Sequence, residues 1–228
     1  VSASVRQELS TLSFITPSHE PCVIYEGIDE TFRRPVLPEE KQRAHMLLGT
    51  ADPYLLYVGV WMSHKNIHRI IAAFRLLKHS WPRLKLVITG KPVPGYIDAT
   101  RVIIQGGLQH DVVLPGFVPN EFLPALYAGA ACLLFPSLYE GFGLPVLEAA
   151  AVGTPVVTSN VTSLPEIMGD AAVYVNPEDV HDIARGVRRV LEDEKLRETL
   201  IEHGRQQARK YSWETCARQT LRLYNALA

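Results

Sequence analysis

"AACLLFPSLYEGFGLPVLEAA", residues 130–150, runs from an apolar stretch through a glycine-rich bend into an apolar helical pattern. Two glutamates, Glu140 and Glu148, stand eight positions apart around that bend. The apolar run ends at Pro136, and Pro145 suits the first position of the helix that follows. Strand, short loop and helix in this order raise the question of whether the pattern repeats along the chain.

It does repeat. "YLLYVG" (54–59), "KLVITG" (85–90), "DVVLPG" (111–116), "TPVVTS" (154–159) and "AAVYVN" (171–176) are further short apolar runs. They are mostly continuous rather than alternating, so both faces are expected to be covered, as in a parallel sheet. Between them lie helical patterns. In "NIHRIIAAFRLLKHS" the residues Ile67, Ile70, Ile71, Phe74 and Leu77 share one face, with Asn66 as the expected N-cap. "NEFLPALYAGA" begins at Asn120, its expected cap, and "DVHDIARGVRRVLED" carries Val180, Ile183, Val187, Val190 and Leu191 on one stripe. The alternation predicts an α/β fold with a Rossmann-like, doubly wound parallel sheet. Ligands in such sheets bind beyond the carboxyl ends of the strands, here just after residues 59, 90, 116, 136 and 159.

The two ends read differently. The last 34 residues are nearly all helical in pattern, with Ser212 expected to cap "WETCARQTLRLYNALA". The first 50 contain one expected strand, "CVIYEG" (22–27), followed by a loop rich in proline and charge, "DETFRRPVLPEEKQR".

Composition narrows the classes. The 228 residues are 47% hydrophobic and 21% charged with a formal charge of −1, so nothing draws the chain towards nucleic acid. Cys22, Cys132 and Cys216 lie far apart without ligand spacing, and Cys132 reads as a small buried hydrophobe. No apolar stretch reaches the ~20 residues of a membrane span. The opening "VSASVRQELS" lacks the regions of a signal peptide, which predicts a cytoplasmic chain. His64 and His68 are four apart with no third ligand near them, so no metal and no cofactor are expected.

The bend at 137–144 lies at the expected ligand edge. Gly141 and Gly143 let backbone N–H groups approach a ligand that side chains would exclude. A helix starting near Pro145 presents free N–H groups and a partial positive charge to a phosphate. Glu140 in the loop and Glu148, expected in the first helical turn and facing the same crevice, are acceptors for hydroxyl groups. Phosphate donors beside hydroxyl acceptors point to a nucleotide sugar. The plainer alternative is that Glu148 merely complements a helix dipole and the glycines merely turn the chain.

The stretch "PSLYEGFGLPVLEAAAVGTPVVTSNVTSLPEIMGDAAVYVNPED" resembles the signature of family-four retaining glycosyltransferases, including the E-x7-E pair at Glu140 and Glu148. The likeness extends through "YVGVWMSHKNIHRIIAAF", "PGFVPNEFLPALYAGA" and "YSWETCARQTLRLY", covering essentially residues 20–228. It implies one half of a GT-B fold, in which two Rossmann-like domains face each other across a cleft and the C-terminal one holds the donor. By that resemblance Glu140 contacts the donor-sugar hydroxyls and Lys65 stabilises the departing diphosphate. These two are the expected catalytic residues. The backbone of Gly141, Phe142, Gly143 and Leu144 lines sugar and diphosphate, Glu148 takes the ribose, and Phe117 and Val118 meet the base. Gly59 and Gly90 complete the donor edge, while Thr162 and Ser163 fall near the diphosphate by loop position. Many relatives carry an arginine where this chain has Val60; His64 is a partial substitute whose charge depends on pH.

The resemblance further implies that the acceptor-binding half is absent. Residues 1–21 read as a remnant of that half with a linker, 22–211 as the donor domain, and 212–228 as a helix packing back towards the missing half. The expected reaction moves a hexose, first mannose from GDP-mannose, to a hydroxyl acceptor with retention, in polysaccharide or glycolipid assembly. "GFGLPVLEAAAVGTPVVTSNVTSLPE" most resembles bacterial mannosyltransferases of surface polysaccharides, with UDP-glucose as the next donor. Alone, the fragment is expected to be inactive. Its partners are the nucleotide diphosphate sugar and, through the absent half, a sugar or lipid-linked acceptor. Peripheral association with the inner membrane face is expected of the whole enzyme. Two other classes are the alternatives: a non-catalytic nucleotide-sugar-binding module, and a nicotinamide dehydrogenase. The latter needs a G-x-G-x-x-G that "VGVWMSHKN" does not supply.

Overall fold

The computed structural model describes residues 2–12, 21–93 and 99–227. A short helix, α1 (Ala3–Thr11), comes first, and α2 (Pro38–Leu48) precedes the sheet. Strands and helices then alternate: β1 (Tyr54–Tyr57), α3 (Ile67–Leu77), β2 (Lys85–Thr89), α4 (Ala99–Gln105), β3 (Val112–Gly116), α5 (Leu123–Gly129), β4 (Cys132–Phe135) and α6 (Leu144–Val152). They continue with β5 (Val156–Ser159), α7 (Leu164–Met168), β6 (Val173–Val175), α8 (Val180–Glu192), α9 (Glu194–Ala208) and α10 (Trp213–Leu227).

The six strands are parallel in the order β3-β2-β1-β4-β5-β6. All residues of β1, β4 and β5 are buried, which is why their sequences are continuous apolar runs rather than alternating ones. Right-handed crossovers place α3 and α4 on one face and α6 on the other. α8 packs on α3, and α5 and α9 pack on α6, completing the two helical layers. Strand order reverses between β1 and β4, so the loops after these strands flank the switch-point crevice where such sheets take ligands. Lys65 follows β1 and Glu140 follows β4.

Four local expectations fail. Residues 22–27 form no strand: the segment from 21 to 27 carries no regular structure, and Ile28 alone makes a parallel bridge to Ser212. Its apolar side chains serve a different purpose, since the Tyr25 ring packs on Phe142 and edge-on to Tyr211. The charged loop after residue 29 turns helical at Pro38, with Glu39 and Glu40 in the first turn and Gly49 closing the end at φ 65°. Asn120 does not cap α5; a 3-10 turn, Asn120–Phe122, intervenes. Asn66 precedes α3 but its side chain caps nothing there. By contrast Ser212 behaves as expected, its Oγ accepting from the N–H of Thr215. Val180 and Leu191 pack on the core beside the buried Ile183, Val187 and Val190. Cys132 is fully buried, and burial pushes its thiol up to about 12, so it is inert.

Candidate functional site

At the switch point two loops meet. The loop after β1 carries His64 and Lys65 in a 3-10 turn, and the loop after β4 carries residues 137–143 into α6. Lys65 Nζ donates to both carboxylate oxygens of Glu140, at 2.7 and 2.8 Å, and lies 5.4 Å from the centre of the Phe135 ring. Glu140 is buried and the Lys65 side chain is 18% exposed, so this is a largely desolvated ion pair. The N–H of Leu138 donates to the carbonyl of His64 at 2.7 Å, joining the same two loops through backbone.

The glycine bend is braced from behind. Glu140 N–H donates to Thr162 Oγ1 at 3.1 Å, and the Ser163 hydroxyl lies 2.9 Å from the carbonyls of both Glu140 and Phe142. Ser163 is fully buried, so it supports the loop rather than facing a ligand. Gly143 caps α6 at φ 106°, where a Cβ would sit 2.8 Å from Leu164 Cδ2. Glycine is required there both by conformation and by space. Among the described residues, no acceptor is paired with the N–H groups of Gly141, Phe142, Gly143 or Leu144. A run of free donors at a helix N-terminus is what a phosphate needs. The Phe142 side chain itself is buried between Tyr25 and Tyr211.

Glu148 stands elsewhere than its expected place. With α6 starting at Leu144 it is the fifth residue of the helix, beyond the first turn, so a simple dipole role does not explain it. Its Oε2 accepts from the Tyr127 hydroxyl at 2.8 Å. Burial raises the Glu148 carboxyl above its ordinary 4.5, Tyr127 opposes the shift and the nearby Asp29 charge adds to it. Burial likewise pushes the Tyr127 hydroxyl up, helped by the Glu148 charge, so tyrosine stays the donor. Glu140 and Glu148 thus have separate partners on separate elements.

The remaining expected residues divide into supports and rims. Gly59 and Gly90 press the loops after β1 and β2 together: a Cβ on Gly90, whose φ is 85°, would meet the Gly59 carbonyl at 2.0 Å. Their packing role is plain from that contact. Phe117 is 71% exposed beyond β3 while Val118 is buried beside it. Val60 is 52% exposed and offers no charge where relatives are expected to hold arginine. Burial and the adjacent Lys65 charge lower the His64 imidazole below its ordinary 6.5, against a smaller pull from Glu140. Within the loops after β1 and β4, Lys65 supplies the cation. Among the described residues, no group of three or more His, Cys, Asp or Glu could hold a metal ion.

Three participants escaped sequence reading. Asn66, expected as a helix cap, is buried between loops; its place beside Lys65 was the available signal. Tyr127 was one apolar position among several in α5, with nothing to mark its hydroxyl. Glu166 gathers α1 against α7, accepting from the N–H groups of Ala3 and Ser4 at 2.8 and 3.1 Å and from the Tyr25 hydroxyl at 2.7 Å. Burial works against its charge, but these donors hold the carboxyl below its ordinary range. A cavity of about 690 Å³ opens there between α1 and Thr162. Another, about 610 Å³ and lined by Arg33, Arg34, Lys41, Arg205 and Arg209, lies at the opposite end of α6. Cations there complement helix carboxyl termini and are far from the switch point.

Fold and crevice together define a class: a doubly wound domain whose strand-end loops offer one paired lysine, unpaired backbone donors and two acids held by different partners. The chain belongs to the family "Glycosyl transferases group 1", whose profile matches residues 38–207. It is 41% identical over 177 residues to O-antigen chain mannosyltransferase B of Escherichia coli, covering 76% of this chain and 46% of that protein. It is 35% identical over 234 residues to glycogen synthase of Mycobacterium tuberculosis, covering 99% of this chain and 53% of that one. In fold it is similar to HepE of Anabaena in complex with UDP and glucose, with a TM-score of 0.88, 19% identity, and 99% and 62% of the two chains covered. The chain spans about half the length of these two curated relatives. Among the described residues, no helix is long and apolar enough to cross a membrane.

Proposed function

We propose that this chain is the donor-binding half of a retaining hexosyltransferase, with mannose from GDP-mannose as the transferred sugar. The observation that carries the reading is the Lys65–Glu140 pair beside the open N–H groups of residues 141–144. In this reading the diphosphate takes Lys65 and the backbone donors, where fixed positive charge stabilises the leaving group. Glu140, released from lysine, accepts from sugar hydroxyls, and Glu148 accepts from the ribose. The sugar then passes to an acceptor hydroxyl on the face the nucleotide leaves, the departing diphosphate taking the hydroxyl proton. The acceptor, a sugar or lipid-linked glycan of polysaccharide or glycolipid assembly at the inner membrane face, is held by a domain outside these residues. The chain alone binds donor and transfers poorly.

Mannose is favoured by the 41% identity to the O-antigen mannosyltransferase. A glucosyl donor is the second reading, because the relative named glycogen synthase matches over 99% of the chain. Calorimetric titration of the chain with GDP, UDP and ADP tests the proposal. Saturable one-to-one binding of GDP, tighter than the others, supports it. Preference for UDP or ADP replaces the donor, and binding of none of the three rejects the donor-domain reading.

A further inference from the structure

Asn66 separates Lys65 from α3, is wholly buried, and holds φ at 64°. Asparagine is among the few side chains that tolerate this left-handed conformation. Its amide caps no backbone N–H of the helix it precedes. Nδ2 donates to the carbonyl of Pro136 at 2.9 Å and to that of Pro177 at 2.7 Å, while Oδ1 accepts from Arg69 Nη1 at 3.0 Å. Pro136 opens the Glu140 loop after β4, and Pro177 follows β6. One amide therefore joins three strand-end loops at the switch point, and both of its donor hydrogens are used.

A buried asparagine that merely closes the fold is the plain alternative. Two features exceed it. Asn66 adjoins Lys65 directly, and the other backbone tie between the same loops, Leu138 N–H to the His64 carbonyl, lies one residue to the other side of Lys65. Lys65 is thus flanked by two links to the loop that carries its partner. The ion pair is the third link, and it is the one a bound diphosphate must break.

We infer that Asn66 is a positioning residue: it holds Lys65 against the Glu140 loop and keeps the two in register after the donor has separated them. The inference rests on the donor reading proposed above, which gives Lys65 its ligand. Glycine at this position keeps the backbone conformation and removes all three side-chain bonds. Aspartate keeps size and conformation but sets an acceptor against two carbonyls.

The test combines amide hydrogen exchange with a double-mutant cycle. In Asn66→Gly, exchange should quicken at least ten-fold at the bonded N–H groups of these two loops, those of residues 65, 66, 138 and 140, while the strands keep their protection. Nucleoside diphosphate affinity should fall about ten-fold in the unsubstituted background and less than two-fold in Lys65→Met, because the loss acts through the lysine. Asn66→Asp should show the same pattern, which matters if the glycine variant unfolds. Unchanged exchange in the two loops overturns the inference, as does an equal loss of affinity in both backgrounds. If the unsubstituted chain binds no nucleoside diphosphate, the donor reading falls instead, and exchange alone decides the role of Asn66.

Discussion

The two acids of the opening motif share a loop and a helix but live in opposite surroundings. Glu140 is ionically paired, bonded through both oxygens to Lys65, and its neighbours are backbone dipoles and the buried serine behind the bend. Glu148 has a neutral partner, the Tyr127 hydroxyl, and burial pushes its carboxyl upward. One acid must be released from a cation before it can accept from a ligand; the other is already aligned by a donor that keeps its own proton. In the proposed donor reading, the two glutamates are the two ends of one site, one exchanging partners on binding and one pre-arranged.

Breaking the charged end should have the largest effect. Lys65→Met leaves the Glu140 carboxylate buried without its partner and should cost roughly 3 kcal/mol of stability. Lys65→Met combined with Glu140→Gln should recover most of that loss. Chemical denaturation of the unsubstituted chain and the two variants checks this, and equal stability of the single and double variants would show that the pair is not coupled.

At the neutral end the effect should be smaller. Tyr127→Phe removes one hydrogen bond to a half-buried carboxyl oxygen, worth about 1–2 kcal/mol. Nucleoside diphosphate affinity should drop by about ten-fold, the equivalent of ~1.4 kcal/mol, because Glu148 loses its alignment. A titration giving unchanged affinity would detach Tyr127 from the site.

The gentlest probe is pH. Because Glu148 titrates above its ordinary 4.5, folding favours its protonated form. Its stability contribution is therefore present at pH below the unfolded value and fades as pH rises through the folded one. Ligand acceptance runs the other way, since the ionised acid is the better acceptor. Affinity for a nucleoside diphosphate should fall as pH drops through the raised value, and Glu148→Gln should flatten that part of the profile. The same slope in both proteins would assign the titration to another group.

Much of the fold was legible because burial on both faces writes itself into sequence as continuous apolar runs, as in β1, β4 and β5; the edge strand β3 carries such a run although it is only half-buried, with Leu114 39% exposed. Residues 22–27 mimic such a run. Their apolar character serves ring packing of Tyr25 on Phe142 and Tyr211 rather than a sheet, a distinction that composition does not carry. The helix at Pro38–Leu48 was signalled by its proline, early acids and closing glycine, but proline and charge density made it resemble a loop. In the site, Lys65 and Glu140 were legible as a pair by family resemblance and meet in space. The sequence places Asn66 correctly but suggests the wrong partner, because an N-cap is a local interaction while the two bonds its amide donates span 70 and 111 residues. Tyr127 was silent for the same reason: a hydroxyl on a buried helix finds its acceptor only when helices pack.

The division between the two ends is tested most directly by titrating Glu140→Gln and Glu148→Gln side by side with a nucleoside diphosphate and its sugar conjugate. Glu148→Gln should weaken both ligands alike by about ten-fold, the loss of one charge-assisted hydrogen bond to the nucleotide. Glu140→Gln should leave the bare diphosphate within about three-fold while erasing the affinity that the sugar adds. Two variants that bind both ligands as the unsubstituted chain does would contradict the assignment of either acid to the donor.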